Sequence, residues 1–181
     1  MPTLQYDNYI FDFDGTIVTL DVNWGRLRQS IAEEFMSEEE HASSLGLHEL
    51  VKAITDRFGA TKRDQIYEII RKHEQPNDKV RYSVNSDTVA FIEGLREFYI
   101  VSNNLRSTIN TVLDEMHLSS KCKYVIAYDD VCSPKPNVEP FRLLKDKVNL
   151  QGKNLYVGDK ATDKRFAEMC CIDFKWVGEI K

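Results

Sequence analysis

Five short apolar runs, with helical patterns between the later ones, constrain the fold of this chain most strongly. The runs cover residues 9–13, 98–101, 124–127, 155–157 and 172–177. Alternation of such runs with helical patterns is typical of a parallel sheet, because parallel neighbours need a crossover connection. The sequence therefore predicts an α/β fold in which helices cover both faces of a parallel sheet.

The segment 19–83 differs from the rest of the chain because it contains helical patterns but no convincing strand. One apolar stripe of helical period runs over 24–35, a second ends at Gly59, and a third ends before Pro76. These patterns predict a small helical bundle inserted after the first strand. The predicted core domain covers 1–18 and 84–181, and the predicted insertion covers 19–83.

Composition and charge narrow the class of partner. The chain has 181 residues with 42% hydrophobic content, which is enough for a sizeable core. Its net charge of -5 argues against a nucleic-acid partner, because domains that bind phosphate backbones carry a basic surplus. No apolar run approaches the roughly 18 residues of a membrane-spanning helix, and the cysteines lack C-x-x-C spacing. We therefore expect a cytoplasmic protein with a small-molecule partner and neither nucleic acid nor membrane; the oligomeric state, monomer or otherwise, is left open.

The stretch FDFDGT at the end of the first run allows two interpretations. An Asp-Gly pair favours a tight turn, because Gly15 accepts a positive φ, and Asp12 and Asp14 are then solvated turn residues. In an extended strand, however, residues two apart point to the same side. The two carboxylates then lie side by side, and a divalent cation would relieve their repulsion.

Polar side chains follow each of the first four apolar runs. They are Asp12 and Asp14, Ser102 and Asn103, Lys135, and Asp159 with Asp163. Because ligands bind beyond the carboxyl ends of parallel strands, we expect these groups to meet in one pocket. Several carboxylates form the oxygen-rich site that Mg²⁺ prefers, while a hydroxyl and an ammonium suit the oxygens of a phosphoryl group. Together these groups indicate phosphoryl transfer.

The order of these groups resembles the haloacid dehalogenase (HAD) superfamily of phosphohydrolases. The family pattern of D-x-D-G-T, a Ser or Thr, a Lys and G-D-x-x-x-D is matched by DFDGT, Ser102, Lys135 and GDKATD. The resemblance implies a Rossmann-like (HAD-like) α/β core with an inserted α-helical cap domain, as in phosphatases of the phosphoglycolate phosphatase type. The carboxyl group of Asp14 favours phosphate chemistry over dehalogenation, because halide departure needs no proton.

The same resemblance implies a role for each residue. Asp12 would be the nucleophile that forms an aspartyl-phosphate, and Asp14 would protonate the leaving oxygen and then activate water. The implied Mg²⁺ ligands are Asp12, Asp14 through its backbone carbonyl, and Asp159, with Asp163 either as a further ligand or as a support for the other ligands. The implied phosphate-binding residues are Ser102, Asn103 and Lys135. Position alone suggests a role in substrate specificity for Trp24, Arg26 and Arg106, with ordinary surface charge as the alternative for the arginines.

We therefore expect a Mg²⁺-dependent phosphatase that hydrolyses a small phosphorylated metabolite through an aspartyl-phosphate intermediate. Two alternatives remain at this point. A phosphomutase of the beta-phosphoglucomutase type would use the same fold and nucleophile but return the phosphoryl group to a sugar. A non-catalytic phosphate-binding or regulatory protein would keep the scaffold without turnover, against which the acids at positions 12, 14 and 159 argue.

Overall fold

The computed structural model describes residues 6–36 and 45–180. Contacts divide the chain into two compact units, one formed by Met1–Leu20 with Tyr82–Lys181 and the other by Asp21–Arg81. All of the described strands belong to the larger unit, and three of the described helices belong to the smaller one.

The described strands and helices alternate along most of the larger unit. The strands are β1 (Asn8–Phe11), β2 (Val18–Leu20), β3 (Tyr82–Val84), β4 (Phe98–Val101), β5 (Cys122–Ile126), β6 (Asn154–Gly158) and β7 (Asp173–Trp176). The helices are α1 (Trp24–Phe35), α2 (Leu47–Phe58), α3 (Ala60–Glu74), α4 (Ser86–Gly94), α5 (Arg106–Glu115), α6 (Glu139–Lys147) and α7 (Ala161–Cys170). Five strands form one sheet in the order β5-β4-β1-β6-β7, and every neighbouring pair is parallel. The predicted α/β fold with a parallel sheet is confirmed.

Helices cover both faces of the sheet. Neighbouring residues of a strand point to opposite faces, so the contacts of two successive residues of β1 show what covers each face. Ile10 of β1 packs in a buried cluster with Phe141 of α6 and Phe166 of α7. Phe11, the next residue of β1, makes an edge-to-face contact with Phe91 of α4, with ring centroids 6.5 Å apart. The strand is therefore apolar on both sides, as its continuous apolar sequence predicts.

The strand order places β1 at the centre of the sheet, between β4 and β6. Ile10 lies opposite Tyr99 of β4 and Tyr156 of β6 in the two parallel registers. The carboxyl ends of these three strands therefore lie side by side. The next strand of this sheet along the chain, β4, lies on one side of β1, and β6, which follows β5 in the chain, lies on the other. This is the position at which open α/β sheets bind ligands.

The strands β2 and β3 form a separate antiparallel pair that the sequence did not indicate. Val18 lies opposite Val84, and Leu20 lies opposite Tyr82. The expectation that 19–83 contains no strand is therefore wrong at both ends of that segment. Each strand has three residues, which is too short to show an alternating pattern, and the pairing joins positions more than 60 residues apart.

The smaller unit contains α1, α2 and α3, as the apolar stripes predicted. The buried residues lie at helical spacing and are Leu27, Ile31, Leu50, Val51, Ile54, Ile66 and Ile70. Asn23 caps α1, because its side chain accepts a hydrogen bond from the backbone N–H of Arg26 at 2.9 Å. Gly59 separates α2 from α3 with a φ of 87°, a conformation that favours glycine. None of the helices in the described ranges has the length and apolar character needed to cross a membrane.

Candidate active site

The candidate site lies at the carboxyl edge of the parallel sheet. Asp12 directly follows β1, and its backbone N–H donates to the carbonyl of Val157 in β6 at 2.9 Å. Ser102 directly follows β4, and its backbone N–H donates to the carbonyl of Ile126 in β5 at 2.9 Å. Both side chains therefore begin on backbone that the neighbouring strand fixes, which suits a site that requires accurate positioning.

Lys135 lies at the centre of the site and is 4% exposed. Its Nζ is 2.8 Å from Asp12 Oδ1 and 2.6 Å from Asp163 Oδ1, and it donates to the hydroxyl of Tyr156 at 2.6 Å. Three acceptors match the three N–H groups of an ammonium. A buried cation between two buried carboxylates offsets part of the cost of removing them from water. Lys135 therefore holds Asp12 and Asp163 together.

Tyr156 orients this lysine from within the sheet. The side chain is fully buried in β6, and its hydroxyl donates to the carbonyl of Val101 in β4 at 2.7 Å. Because the only proton of the phenol goes to that carbonyl, the phenol oxygen remains an acceptor for Lys135. Burial raises the pKa of Tyr156 well above its ordinary value, and the nearby charges of Asp163 and Asp12 raise it further. The phenol therefore stays protonated and keeps this bonding pattern.

Asn103 holds the backbone of Lys135. Its side-chain nitrogen donates to the carbonyl of Lys135 at 3.1 Å, and its Oδ1 accepts from the backbone N–H of Lys135 at 3.0 Å. The neighbouring Ser102 donates from its hydroxyl to Asn104 Oδ1 at 3.0 Å. The structure thus brings the predicted phosphate-binding residues together, and it gives Asn103 a positioning contact that the sequence did not indicate. A direct contact of these residues with phosphate stays a prediction.

Three carboxylates converge beside Lys135. Asp12, Asp159 and Asp163 each offer one oxygen, and these three oxygens all lie within 4.8 Å of one another. Asp159 Oδ1 is buried and has no hydrogen-bond partner among the described residues. Buried polar atoms normally have a partner, and carboxylate oxygens are the ligands that Mg²⁺ prefers. These residues therefore fit the magnesium ion that the sequence predicts.

The pKa values of the carboxylates reflect this crowding. Burial raises the pKa of Asp159 to about 6, and the charges of Asp12 and Asp163 act in the same direction while Lys160 opposes them. Burial also raises the pKa of Asp163, against the opposing effect of Lys135. A divalent cation would favour the charged form of both groups and so oppose both of these pKa shifts.

Asp14 makes its hydrogen bonds with residues other than the three clustered carboxylates. Its Oδ1 accepts a hydrogen bond from the backbone N–H of Leu20 at 2.9 Å. Its backbone carbonyl accepts from Lys160 Nζ at 3.2 Å. Among the described residues, the group of carboxylates whose oxygens lie within 4.8 Å of one another contains Asp12, Asp159 and Asp163 but not Asp14. The predicted role of the Asp14 backbone carbonyl as a metal ligand stays a prediction.

Gly15 is required by the close approach of Asp159. Its φ is 90°, and a Cβ at this position would lie 2.1 Å from Asp159 Oδ2. The D-x-D-G-T sequence therefore has glycine after Asp14 for two reasons, because the backbone conformation and the neighbouring carboxylate both exclude a side chain. The chain turns away from β1 at this residue without displacing Asp159.

We expect Gly15→Ala to destabilise the protein by roughly 1–3 kcal/mol, because alanine is strained at this φ and its methyl group displaces Asp159. Mg²⁺ affinity should fall as well, since Asp159 is one of the three clustered acids. Urea unfolding and isothermal titration with Mg²⁺ measure the two effects. Gly94→Ala at the end of α4 is the control, because a Cβ there has no heavy atom within 4 Å. Equal stability of the two variants would contradict the prediction.

Two residues of the site were missed by sequence reasoning. Tyr156 lies in an apolar run, and its polar role depends on the distant Val101 and Lys135. Lys160 follows Asp159 within GDKATD and donates to Asp14. Burial alone would lower the pKa of Lys160, but the surrounding carboxylates, Asp14 first among them, raise it. A signal existed for Lys160, since its position inside the fourth motif places its charge near the acids.

Of the three candidates for substrate specificity, Arg106 lies in the same unit as the site and is engaged within that unit. The guanidinium of Arg106 pairs with Asp130 at 2.5 Å and donates to the carbonyl of Val125 at 2.6 Å, so it ties α5 to the segment after β5. Trp24 and Arg26 belong to α1 of the smaller unit. Their predicted contact with substrate stays a prediction.

The fold and the site together define a class of protein. Its members have an α/β domain with a parallel sheet and an acidic site that contains a lysine at the carboxyl edge of the sheet. The four sequence motifs predicted this class. The family described as haloacid dehalogenase-like hydrolases matches residues 9–177. The chain belongs to this family. The predicted family and the prediction that the protein is an enzyme are thereby confirmed.

Individual relatives agree with this assignment. The chain is 27% identical over 166 residues to pyrophosphatase PpaX of Oceanobacillus iheyensis, covering 85% of this chain and 75% of that protein. A solved structure from Bacteroides fragilis, provisionally named a haloacid dehalogenase-like hydrolase, has a TM-score of 0.67 at 20% identity, covering 94% and 86% of the two chains. A provisionally named phosphoglycolate phosphatase from Lactobacillus plantarum has a TM-score of 0.66 at 17% identity, covering 95% and 86%. At these identities the two structures show a common fold.

Proposed function

We propose that this protein is a phosphatase that hydrolyses a small phosphorylated metabolite, with Mg²⁺ as cofactor and an aspartyl-phosphate on Asp12 as intermediate. The observation that carries the proposal is the group formed by the buried Asp12 and Asp163 and the half-buried Asp159 beside Lys135. The family supports hydrolase chemistry, and the names of the PpaX relative and of the Lactobacillus plantarum structure both concern phosphate. Those two names differ in substrate, so the proposal is limited to a class of substrates.

Asp12 is the nucleophile in this proposal. One of its carboxylate oxygens attacks phosphorus, and the bond from phosphorus to the leaving oxygen breaks with its electron pair. The phosphoryl group is then attached to Asp12 as an acyl phosphate. Lys135, whose Nζ is 2.8 Å from Asp12 Oδ1, offsets the negative charge that this step brings to the site.

Asp14 gives and takes the proton. In the first step its carboxyl group donates a proton to the leaving oxygen. In the second step the carboxylate accepts a proton from the water that attacks phosphorus, and the bond from phosphorus to Asp12 breaks with its electron pair returning to Asp12. One water is consumed, inorganic phosphate is released, and both aspartates regain their starting forms. The hydrogen bond from the backbone N–H of Leu20 to Asp14 Oδ1 orients the carboxyl group for both proton transfers.

Asp12, Asp159 and Asp163 would hold Mg²⁺, with the backbone carbonyl of Asp14 as a further proposed ligand. When bound, the ion supplies positive charge that stabilises the phosphoryl oxygens in the transition state. The hydroxyl of Ser102 would donate to a phosphoryl oxygen. In this proposal the unit Asp21–Arg81 is a cap that selects the substrate.

A screen of phosphorylated metabolites with Mg²⁺ tests the proposed function. We expect release of inorganic phosphate from one or more small phosphate esters, carboxylate-containing phosphates or diphosphates. Analysis of the organic product by NMR separates hydrolysis from transfer to a sugar, since a phosphomutase returns the phosphoryl group to the substrate. Absence of phosphate release across the panel, or recovery of all phosphorus on a sugar, would reject the proposal.

Removal of the metal should abolish phosphate release, and its effect on stability should depend on pH. A chelator leaves the acidic cluster uncompensated, and added Mg²⁺ should restore activity and raise the unfolding temperature. Asp159 must be charged to bind the ion, and its pKa is raised to about 6. As pH falls through 6 Asp159 gains a proton, so the unfolding temperature should rise less with Mg²⁺ at pH 5.5 than at pH 7.5. Equal shifts at both pH values, measured by differential scanning fluorimetry, would contradict this prediction.

A further inference from the structure

Lys160 places a second ammonium group at the active site, and the steps proposed above do not use it. Its Nζ donates to the carbonyl oxygen of Asp14 at 3.2 Å and lies 3.5 Å from Asp14 Oδ2. The side chain of Lys160 is 53% exposed, whereas that of Asp14 is 11% exposed. The ammonium therefore lies where the buried carboxylates meet solvent, beside the proposed proton donor.

The helix that begins after Lys160 does not require this side chain. The backbone N–H of Lys160 donates to Asp163 Oδ2 at 3.0 Å at the start of α7, and any residue other than proline could make that bond. Lys164 lies one turn later on the same helix with a similar exposure of 54%, and its Nζ is 3.9 Å from Glu168 of its own helix. Only one of these two comparable lysines is directed to the active site.

We propose that Lys160 is a specificity-determining residue that binds negative charge on the leaving group, so that the enzyme prefers phosphorylated substrates whose leaving group is itself anionic. Examples of this class are a diphosphate and the phosphate ester of a hydroxy acid. The inference rests on the function proposed above, because it assigns to Asp14 the protonation of the leaving oxygen.

The placement of charges supports this assignment. The leaving oxygen must reach Asp14 to be protonated, and the remainder of the leaving group then lies beside the ammonium of Lys160, which is 3.5 Å from Asp14 Oδ2. Lys135 cannot serve instead, because it is buried and its three N–H groups are directed at Asp12, Asp163 and Tyr156. In the proposed function Mg²⁺ and Lys135 act on the transferred phosphoryl group, so without Lys160 an anionic leaving group would lie beside carboxylates with no cation assigned to it. A neutral leaving group is not repelled in this way.

The contacts of Lys160 with Asp14 allow its ammonium group to turn from Asp14 to an anionic leaving group. The distances of 3.2 and 3.5 Å are long for charge-assisted hydrogen bonds, and the ammonium of this half-exposed side chain is carried on the four rotatable carbons that every lysine has. A hydrogen bond between charged groups at a partly exposed position corresponds to a roughly 5- to 50-fold change in affinity. The effect should therefore appear mainly in KM for anionic leaving groups.

Substrate pairs that differ in the charge of the leaving group test the inference, because each variant is compared with the unmodified protein on the same substrate. The first pair is 2-phosphoglycolate and 2-hydroxyethyl phosphate, in which a carboxylate replaces a hydroxymethyl group; the second is inorganic pyrophosphate and methyl phosphate. Steady-state constants are measured with Mg²⁺ for the full chain and for its Lys160→Met, Lys160→Arg and Lys164→Met variants. We expect Lys160→Met to lower kcat/KM for the anionic members by about tenfold, mainly through KM, and for the neutral members by less than about twofold. Lys160→Arg should retain most of the preference, and Lys164→Met should retain all of it.

The outcomes test the role of Lys160 separately from the proposed phosphatase function. An equal loss on both members of a pair would show that Lys160 only supports the site, and no loss on either would remove it from the reaction; both results overturn this inference and leave the proposed function intact. Failure of the unmodified protein to release phosphate from any of the four substrates and from the wider panel would overturn both. Circular dichroism of each variant confirms that loss of activity does not reflect loss of fold.

Discussion

Replacing Asp12 by Asn is expected to lower kcat for phosphate release by about 10⁴-fold or more while the protein stays folded. The amide has nearly the same shape as the carboxylate, but its oxygen is a poor nucleophile towards phosphorus. The amide oxygen can still accept a hydrogen bond from Lys135, which in the unmodified protein is 2.8 Å from Asp12 Oδ1. The substitution also removes one of the crowded negative charges, so the free energy of unfolding without metal should be unchanged or higher.

The control for this substitution is Asp146→Asn, which makes the same chemical change on the exposed surface of α6. Its kcat and stability should match those of the unmodified protein. Acid quenching during turnover of a phosphorus-labelled substrate should recover labelled protein from Asp146→Asn and none from Asp12→Asn. Turnover by Asp12→Asn above about 1% of the normal rate would exclude Asp12 as the nucleophile.

The position of the candidate site could be predicted from sequence because a parallel sheet leaves little freedom in where the carboxyl ends of its strands lie. Apolar runs that alternate with helical patterns give parallel strands, and their carboxyl ends must meet at one edge. Asp12, Ser102 and Asp159 each come directly after a strand of the sheet, so their approach to one another follows from the sheet. Lys135 lies nine residues beyond the end of β5, so the sequence placed it in the loop after that strand, and the family resemblance then implied the same residue as a phosphate ligand.

The contacts inside the site could not be predicted in the same way. The bond from Tyr156 to Val101 joins two strands that are not neighbours in the sheet, and Tyr156 looks like an ordinary apolar strand residue. The reciprocal bonds between Asn103 and Lys135 depend on how two loops approach each other. Such contacts depend on distances between residues far apart in sequence, which periodicity does not encode. The pairing of β2 with β3 was missed for the same reason.

Replacing Lys135 by Met should have the largest effect on stability, about 3–5 kcal/mol, together with loss of phosphate release. Methionine fills a similar volume, so the main change is loss of the cation between Asp12 and Asp163. Two buried carboxylates then face each other without compensation, and Tyr156 loses the donor to its phenol oxygen. Urea unfolding at pH 8 without metal measures the effect. Lys147→Met, at an exposed position of α6, is the control and should change stability little.

The pH dependence of the Lys135→Met variant distinguishes lost charge from lost packing. Burial already raises the pKa of Asp163 in the presence of Lys135, which opposes the shift, so removing the lysine should raise this pKa further. A carboxyl group with a raised pKa in the folded state binds its proton more tightly there than in the unfolded chain, and stability rises as pH falls through the folded pKa. The stability deficit of Lys135→Met should therefore shrink between pH 8 and pH 5. Adding Asp163→Asn should recover part of the deficit at pH 8 without restoring activity, because it removes the repulsion but not the need for a cation beside Asp12. A deficit that is the same at both pH values and in the double variant would show that Lys135 acts through packing alone.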